Sequence, residues 1–425
     1  MHKIERLLQT LAPKGVEFKT LEEVFEIKNG YTPSKNNPEF WEKGTIPWFR
    51  MEDIRENGRI LKDSIQHITP KALKNKKLFP KNSIIISTTA TIGEHALLIV
   101  DSLANQRFTF LSKKANCDLA LDMKFFFYQC FLLGEWCKKN TNVSGFASVD
   151  MAAFKKYKFP IPPLEIQQEI VKILDAFTEL NTELNTELNT ELKARKKQYQ
   201  YYQNMLLDFK DINSNHKDAK EKLAQKPYPK RLKALLQTLA PKGVEFRKLG
   251  EVCDFQKGKS ITKKAVTFGK VPVISGGRQP AYYHNEANRS GETIAISSSG
   301  VYAGYVSYWD IPVFLADSFS VSPKQKTLMP KYLFHYLTTQ QDAIHATKST
   351  GGIPHVYSKD LQNFLIPIPP LEIQQEIVKI LDQFLALTTD LLAGIPAEIE
   401  ARKKQYEYYR EKLLAFKPLQ NKAKL

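Results

Sequence analysis

The chain carries the same blocks of sequence twice. The stretch PIPPLEIQQEIVKILD at 160–175 recurs without a change at 367–382. Two shorter blocks also recur, LLQTLAPKGVEF at 7–18 and 235–246, and ARKKQY at 194–199 and 401–406. Most of the sequence between these blocks does not match. Such a chain is expected to fold as two copies of one plan, in which a common frame holds two different inserts.

The composition favours a soluble protein that binds a polyanion. At 425 residues the chain is long enough for two or three domains. Its net charge of +17 and its isoelectric point near 9.4 favour nucleic acid as the partner, although a basic surface can also serve solubility alone. The four cysteines lack CxxC spacing, which predicts reduced thiols rather than a zinc site or disulfides. Reduced thiols fit a cytoplasmic protein best. No apolar run is long enough to span a bilayer, so we expect no membrane role.

The two inserts are predicted to be separate domains of mixed α and β structure. In each, a short β-rich run, SIIIST at 83–88 or TIAIS at 293–297, is flanked by Gly, Asn and Ser turns. Each insert closes with a helical stretch, at 121–138 and 330–346. The repeat offsets predict seven segments: an N-terminal repeat segment at 1–18, a first domain at 19–159, a central helix at 160–210, a linker with the second copy of the N-terminal segment at 211–246, a second domain at 247–366, a C-terminal helix at 367–417 and a tail at 418–425.

Each copy of the longest repeated block predicts the start of a long helix. Two prolines open the block, where their missing N–H groups cost no helical hydrogen bond. In the first copy apolar residues step by three and four from Ile166 to Leu192, which produces one apolar stripe. A helix from Leu164 to about Phe209 would be about 70 Å long. Because an apolar stripe needs a partner, the second copy predicts an antiparallel coiled coil with a pseudo-twofold internal repeat.

The two predicted helices differ in one place. The first contains TELN three times and then TEL, from Thr178 to Leu192. The second carries Gly394 and Pro396 in the corresponding stretch, and these residues predict a kink or a break. The polar and charged stretch Asp211–Lys230 is expected to link the two halves.

No motif of a catalytic or metal site stands out. Gly258-Lys259-Ser260 resembles the end of a phosphate-binding loop, but Cys253 stands where that loop needs its first glycine. The sequence has no glycine-rich dinucleotide or methyl-donor loop, no GxSxG turn and no histidine pair at metal-ligand spacing. We therefore predict no catalytic residue, no metal ligand and no cofactor in this chain, and we expect its function to be binding.

Polar loops in the inserts are the candidate DNA contacts. Arg, Gln, Asn and Ser side chains pair with base edges, and Lys side chains contact phosphates. The candidates in the first insert are Thr88, Thr89, Thr91, Asn105, Gln106 and Arg107. Those in the second are Arg278, Gln279, Tyr282, Tyr283, Ser298, Ser299, Tyr302 and Lys348. Each could instead be a turn residue that satisfies its own backbone, and the lysine-rich stretch Lys71–Lys81 could be a set of phosphate contacts or solvated surface.

A basic and aromatic segment closes each predicted helix and is the candidate docking surface for partner proteins. The residues are Arg195, Lys196, Lys197, Tyr199 and Tyr202 in the first copy and Arg402, Lys403, Lys404, Tyr406 and Tyr409 in the second. A repeated surface can bind two copies of one partner. The alternative is that these residues anchor the helix ends and complement the helix dipole.

Together these features resemble one protein family. The two PIPPLEIQQEIVKILD blocks, ARKKQY with its tyrosine pair, and the openings GYTPS at 30–34 and KGKSIT at 257–262 are similar to those of the specificity (S) subunit of type I restriction–modification enzymes. Thr91-Ile92-Gly93 and Asn105-Gln106 stand where that family has a TIG turn and an NQ pair. The second insert departs from the pattern, with Asp317-Ser318 where the first has Asn105-Gln106. The resemblance covers essentially the whole chain.

The resemblance implies a division of labour between this chain and its partners. It implies two target recognition domains separated by two long antiparallel helices, with each domain reading one part of a split, asymmetric site in double-stranded DNA. The helices would recruit two methyltransferase subunits and, through them, restriction subunits. S-adenosylmethionine, ATP and Mg²⁺, with adenine methylation and ATP-dependent cleavage, would belong to those partners. The alternatives are a stand-alone nuclease or modification enzyme and a coiled-coil scaffold that binds no DNA.

Overall fold

The chain divides into two compact units, each of which combines one insert with the ends of both long helices. Our computed structural model describes residues 2–74, 76–142, 147–213, 218–324, 326–349 and 352–419. Unit 1 comprises Met1–Asn185 and Glu398–Leu425, and unit 2 comprises Thr186–Ala397. Part of the predicted linker, 214–217, and part of the predicted tail, 420–425, lie outside the described residues.

Unit 1 is built around a five-stranded sheet. Its short helices and 3-10 turns are His2–Leu11, Leu21–Val24, Pro38–Phe40, Met51–Asn57, Pro70–Leu73, Met123–Lys139 and Met151–Lys155. Its strands are Glu17–Thr20, Phe25–Asn29, Ile46–Phe49, Ile60–Leu61, His67–Ile68, Ser83–Ser87, His95–Leu98, Leu103–Ala104, Phe108–Lys113, Thr141–Asn142, Ser148–Val149 and Lys158–Ile161. The sheet order is Phe25–Asn29, Phe108–Lys113, Ser83–Ser87, His95–Leu98 and Ile60–Leu61.

The core of unit 1 lies between this sheet and its longest insert helix. All residues of the strand Ser83–Ser87 are buried, as a continuous apolar run predicts for a strand covered on both faces. Helix Met123–Lys139 begins where the side chain of Asp122 accepts hydrogen bonds from two N–H groups of the first turn. The helix buries Phe126, whose ring centroid lies 4.4 Å from that of Phe25 on the sheet.

Unit 2 repeats this plan with a four-stranded sheet. Its short helices and 3-10 turns are Lys210–Ile212, Ala219–Gln225, Lys230–Leu239, Leu249–Val252, Lys263–Ala265, Pro330–Thr339, Gln341–Ala346 and Ser358–Leu361. Its strands are Glu245–Lys248, Cys253–Lys257, Val271–Ile274, Tyr282–His284, Thr293–Ser297, Val306–Trp309, Phe314–Leu315, Ser318–Pro323 and Leu365–Ile368. The sheet order is Cys253–Lys257, Ser318–Pro323, Thr293–Ser297 and Val306–Trp309, all antiparallel.

A short strand pair joins the two ends of each insert. Glu17–Thr20 pairs antiparallel with Lys158–Ile161, and Glu245–Lys248 pairs in the same way with Leu365–Ile368. The repeated prolines follow the second strand of each pair, and the long helices begin directly after them. The repeated sequence therefore builds one frame twice, and each frame closes one insert at its base.

A glutamine of each repeated block ties the long helix to its own domain. The side chains of Gln167 and Gln374 are fully buried. The Nε2 of Gln167 donates to the carbonyls of Ala120 and Pro162 at 2.8 and 2.7 Å. Its Oε1 accepts from the N–H of Asp122 at 2.8 Å. Gln374 makes the equivalent three hydrogen bonds, to Thr327, Pro369 and Met329. The geometry of this junction is therefore the same in both halves.

The two long helices run in opposite directions within each unit. The central helix, Leu164–Leu207, and the C-terminal helix, Leu371–Leu414, each have 44 residues. In unit 1 the ring of Phe177, near the start of the central helix, stacks with Tyr409 near the end of the C-terminal helix, at 5.8 Å between centroids. In unit 2 the order is reversed, and Tyr202 stacks with Phe384 at 4.5 Å. The predicted fold class, two mixed domains separated by two long antiparallel helices, is confirmed.

Of the kink or break predicted at Gly394 and Pro396, the break is wrong, because the C-terminal helix continues through both residues. A proline removes one helical hydrogen bond and crowds the preceding turn. Tertiary packing can outweigh that cost. Ile395, between the two residues, is 8% exposed, so this turn is held by burial of its apolar side chain.

The predicted linker is partly folded into unit 2. It contains the helix Ala219–Gln225, and the side chains of Leu223 and Tyr228 are buried in the core of this unit. Lys226 forms ion pairs with Asp208 at 2.9 Å and with Asp211 at 3.2 Å. These contacts were not predicted, because the stretch is mostly polar in composition.

Candidate nucleic-acid interface

Loops converge at one end of the main sheet in each unit. In unit 1 the antiparallel register places Asn29 opposite Thr109 and Ser87 opposite Phe108, so the adjoining loops leave the same end of the sheet. The frame strand Glu17–Thr20 leads into the opposite end. We define the unit 1 loop edge as residues 29–32, 88–93 and 105–107, and the unit 2 loop edge as residues 257–260, 298–304 and 316–317.

One backbone hydrogen bond recurs at both loop edges. In unit 1 the N–H of Thr88 donates to the carbonyl of Arg107 at 3.2 Å. In unit 2 the N–H of Ser298 donates to the carbonyl of Asp317 at 3.0 Å. Each donor directly follows a strand and each acceptor directly precedes one. The two edges therefore lie at equivalent ends of their sheets, although their side chains and loop lengths differ.

This register corrects the alignment of the two inserts. Asp317 corresponds to Arg107, so matching Asp317-Ser318 with Asn105-Gln106 was wrong. The register of the next residues supports this alignment, because Phe108 and Ser318 begin the equivalent strands. The loop before this strand is one residue shorter in unit 2, and a comparison of sequences without strand register cannot place that gap.

The candidates of unit 1 all lie on its loop edge, and of these six residues only Gln106 and Arg107 are exposed. Thr88 is 7% exposed, and its hydroxyl lies 3.0 Å from that of another threonine in the sheet. Asn105 is half-buried, and its Oδ1 accepts from the N–H of Arg107 at 3.0 Å. The remaining two, Thr89 and Thr91, are half-buried. Thr88 and Asn105 therefore support the loops, and Gln106 and Arg107 project from them.

Four candidates of unit 2 meet at or beside its loop edge. The guanidinium of Arg278 lies 4.9 Å from the ring centroid of Tyr302, within cation–π range. The hydroxyl of Ser299 donates to the carboxylate of Asp317. The ammonium of Lys348 lies 3.5 Å from a backbone carbonyl of the loop. This cluster combines donors, an acceptor and an aromatic face on one surface.

The other four candidates of unit 2 are placed differently. Ser298 is 8% exposed, so its side chain faces inward. Tyr282 and Tyr283 are exposed on a strand that pairs with Val271–Ile274 in a smaller sheet, and Gln279 is exposed in the preceding loop. Contacts of these residues with DNA stay a prediction.

Three cations that the sequence did not single out border the unit 1 loop edge. Arg55, Arg59 and Lys138 line a cavity of 620 Å³ together with Thr91. Arg59 is held by the carboxylate of Glu94 at 2.6 Å and by a backbone carbonyl at 3.0 Å. Arg55 and Arg59 are close in sequence, but Lys138 comes from the distant helix Met123–Lys139, so no single local motif could have identified the group.

The lysine-rich stretch 71–81 reaches the same edge. The ammonium of Lys76 lies 3.9 Å from the ring centroid of Tyr31, which belongs to the loop edge. Both residues line a second cavity, of 570 Å³. Asn75 of this stretch lies outside the described residues.

His95 is a buried, neutral histidine next to the unit 1 loop edge. Its ring lies 4.5 Å from that of Phe131. Burial, with a contribution from the nearby charge of Arg59, lowers the pKa of His95 to about 3. The ring is therefore neutral at physiological pH, and its Nδ1 lies 3.2 Å from the carbonyl oxygen of Gly93.

The tyrosines of the candidate docking surface turn toward their own unit. The Tyr199 hydroxyl lies 3.1 Å from Nδ1 of the fully buried His335, whose Nε2 lies 2.9 Å from Oδ1 of Asp382. Burial alone would raise the pKa of Asp382, but hydrogen bonds from His335 and Lys331 outweigh this effect and lower it. These contacts, like the ring stacking of Tyr202, anchor the end of the central helix.

The charged residues of that surface remain accessible. Lys196, Lys197 and Lys403 are exposed. The other cations have acidic neighbours one turn away on the same helix, Arg195 with Glu191, Arg402 with Glu398 and Lys404 with Glu400. Tyr406 and Tyr409 are half-buried. Docking of a partner on this surface stays a prediction, and its accessible part is mainly lysine.

The described residues contain no cluster of His, Cys, Asp and Glu that could hold a metal ion. All four cysteines are free, and burial raises the pKa of the Cys137 and Cys253 thiols to about 12. In the part of the chain described by the structure, no helix is long and apolar enough to cross a membrane.

Comparison with known proteins decides the family. The model of the type I restriction modification DNA specificity domain matches residues 13–194 and 241–401. The chain belongs to this family. The EcoprrI type I specificity subunit of Escherichia coli is 41% identical over 402 residues, which cover 92% of this chain and 93% of that protein.

Solved structures of this system share the fold. A chain from a type I restriction–modification complex matches with a TM-score of 0.67 at 19% identity, covering 95% of this chain and 98% of that one. The HsdS subunit from Thermoanaerobacter tengcongensis matches with a TM-score of 0.55 at 19% identity, covering 95% and 97%. The family predicted from the repeated blocks is confirmed, and as a type I specificity subunit the chain recognises DNA sequence.

Proposed function

We propose that this specificity subunit reads a split, asymmetric site in double-stranded DNA, with one loop edge for each half-site. The observation that carries the proposal is the combination of a repeated frame with loop edges that lie at equivalent positions and carry different side chains. Equivalent backbones would bring both edges to DNA in the same way, and different side chains would select different bases. The net charge of +17 supports binding to a polyanion.

We infer that the chain is a non-catalytic subunit and that its partners perform the chemistry. Two methyltransferase subunits would dock on the two copies of the helical frame, because a repeated surface offers two equivalent sites. Restriction subunits would join through them. S-adenosylmethionine, ATP and Mg²⁺ would bind to the partners, which would methylate adenine and cleave DNA in the cytoplasm. Membership of the family favours this account over a stand-alone enzyme or a scaffold that binds no DNA.

Co-expression with a methyltransferase subunit encoded by a neighbouring gene, followed by genome-wide mapping of methyladenine, tests the proposal. We expect methylation at one bipartite, non-palindromic sequence with a gap of fixed length. The subunit expressed without the methyltransferase is the control and should produce no methylation. A palindromic motif, or methylation by this chain alone, would refute the proposal.

A further inference from the structure

Arg107 and Asp317 occupy the same place in the two units. The carbonyl of each accepts a hydrogen bond from the N–H of the residue that directly follows the neighbouring strand, Thr88 in unit 1 and Ser298 in unit 2, at 3.2 and 3.0 Å. Each residue directly precedes the equivalent strand, and both are exposed. A pair of equivalent backbones thus presents side chains of opposite charge at the two loop edges.

The side chain of Arg107 is available to a ligand. Its backbone N–H is held by Asn105 at 3.0 Å, which fixes the position of the Cα atom. Its guanidinium makes no hydrogen bond or ion pair with any residue that the structure describes. A guanidinium offers only donors, and in the major groove its bidentate partners are the O6 and N7 acceptors of guanine.

Asp317 presents the opposite chemistry. A carboxylate offers only acceptors and is repelled by phosphates, so at a DNA interface it is suited to a base that offers a donor. The hydroxyl of Ser299 donates to one of its oxygens and orients the group. Asp317 is exposed, so its carboxylate is accessible to a ligand.

The donor that fits Asp317 best is the N4 amino group of cytosine. Adenine also presents an amino group in the major groove, but its N7 acceptor lies beside that group and would face the second carboxylate oxygen. Cytosine presents no acceptor there. Guanine and thymine present acceptors and no donor in the major groove, so a carboxylate would reject both.

We propose that Arg107 and Asp317 are paired specificity-determining residues of this subunit. Arg107 selects a guanine in the half-site of unit 1, and Asp317 selects a cytosine at the equivalent position in the half-site of unit 2. The inference rests on the proposed function and deepens it. Because Arg107 offers only donors and Asp317 offers only acceptors, the two half-sites differ at the base pair that these residues contact.

The test maps the methylation of a DNA library with randomised half-sites by the complex of this subunit with its methyltransferase. Asp317→Asn keeps the size of the side chain and adds a donor. It is expected to reduce the preference for cytosine at one position of the unit 2 half-site about tenfold or more, with the unit 1 half-site unchanged. Arg107→Gln is expected to reduce a guanine preference in the unit 1 half-site by a similar factor.

Asp310→Asn is the matched control, because Asp310 is exposed in the same unit but lies outside the loop edge. It should leave the motif unchanged. Wild-type half-sites without the guanine and the cytosine would overturn the inference, as would variants that weaken methylation equally on all sequences. A wild-type motif that is not bipartite would instead refute the proposed function.

Discussion

Deletion of Asn181–Leu184 is expected to shorten the gap between the two half-sites by about one base pair and to leave both half-sites unchanged. Four helical residues advance about 6 Å and turn about 40° beyond a full rotation. One base pair of duplex advances about 3.4 Å and turns about 34–36°. One TELN unit therefore matches one base pair in rotation, although it is longer in translation.

The TELN stretch can lose a unit because it lies outside both hydrophobic cores. The core of unit 1 includes central-helix residues up to Leu174, with Ile173 packed against it, and the core of unit 2 begins again at Tyr199 and Leu206. Leu180, in the first TELN unit, is 54% exposed. Shortening the helix here therefore changes its length without opening a core.

Methyladenine mapping measures the effect of the deletion. Deletion of Asn181 and Thr182 alone is the control, since two residues turn the helix by about 200° and should abolish methylation of any bipartite site. Insertion of one further NTEL unit should lengthen the gap by about one base pair. An unchanged gap in the four-residue deletion would show that this stretch does not set the spacing.

Replacement of Gly134 by alanine is expected to destabilise unit 1 by about 2 to 3 kcal/mol and to weaken recognition of its half-site. Helix Met123–Lys139 crosses the loop edge closely at this residue. An added Cβ would lie 2.6 Å from the carbonyl oxygen of Gly93, which has φ of 90°. Because the opposing atom is backbone, relief requires a shift of the loop that follows the strand Ser83–Ser87.

Gly394→Ala is the matched control, since it makes the same change inside a long helix. A Cβ there would meet no atom within 4 Å, so alanine should stabilise the chain by about 1 kcal/mol. Hydrogen exchange of the backbone amides measures both effects. In Gly134→Ala the helix Met123–Lys139 should exchange faster while Pro330–Thr339 of unit 2 is unaffected. Equal protection in Gly134→Ala and the wild type would show that the close contact is not needed.

Much of the fold could be predicted from the repeats and the apolar pattern. The start of each long helix follows from the prolines, and the strands Ser83–Ser87 and Thr293–Ser297 follow from short apolar runs between turns. The break that Pro396 suggested does not occur, because local propensity says nothing about the packing that holds the surrounding turns. The tie between each helix and its domain through Gln167 and Gln374 was also invisible, since its partners are distant in sequence.

The candidate interface could be predicted only in outline. Thr91 and Arg107 were located because polar turns follow apolar runs, and both lie on the unit 1 loop edge. Arg59 was missed because its fixed position depends on Glu94, 35 residues away. The correspondence of Asp317 with Arg107 required the strand register, since a loop shortened by one residue shifts a sequence alignment without leaving a signal.

If the two insert domains recognise DNA independently of each other, duplication of one domain should change the recognised site in a predictable way. This experiment tests the account most directly. In the engineered variant, residues 247–366 are replaced by a second copy of residues 19–159. The variant is then co-expressed with the methyltransferase subunit. Circular dichroism first checks that the chain is folded. Methyladenine mapping should then find a symmetric site made of two inverted copies of the unit 1 half-site. Continued methylation of the wild-type asymmetric site by the folded chain would contradict the account.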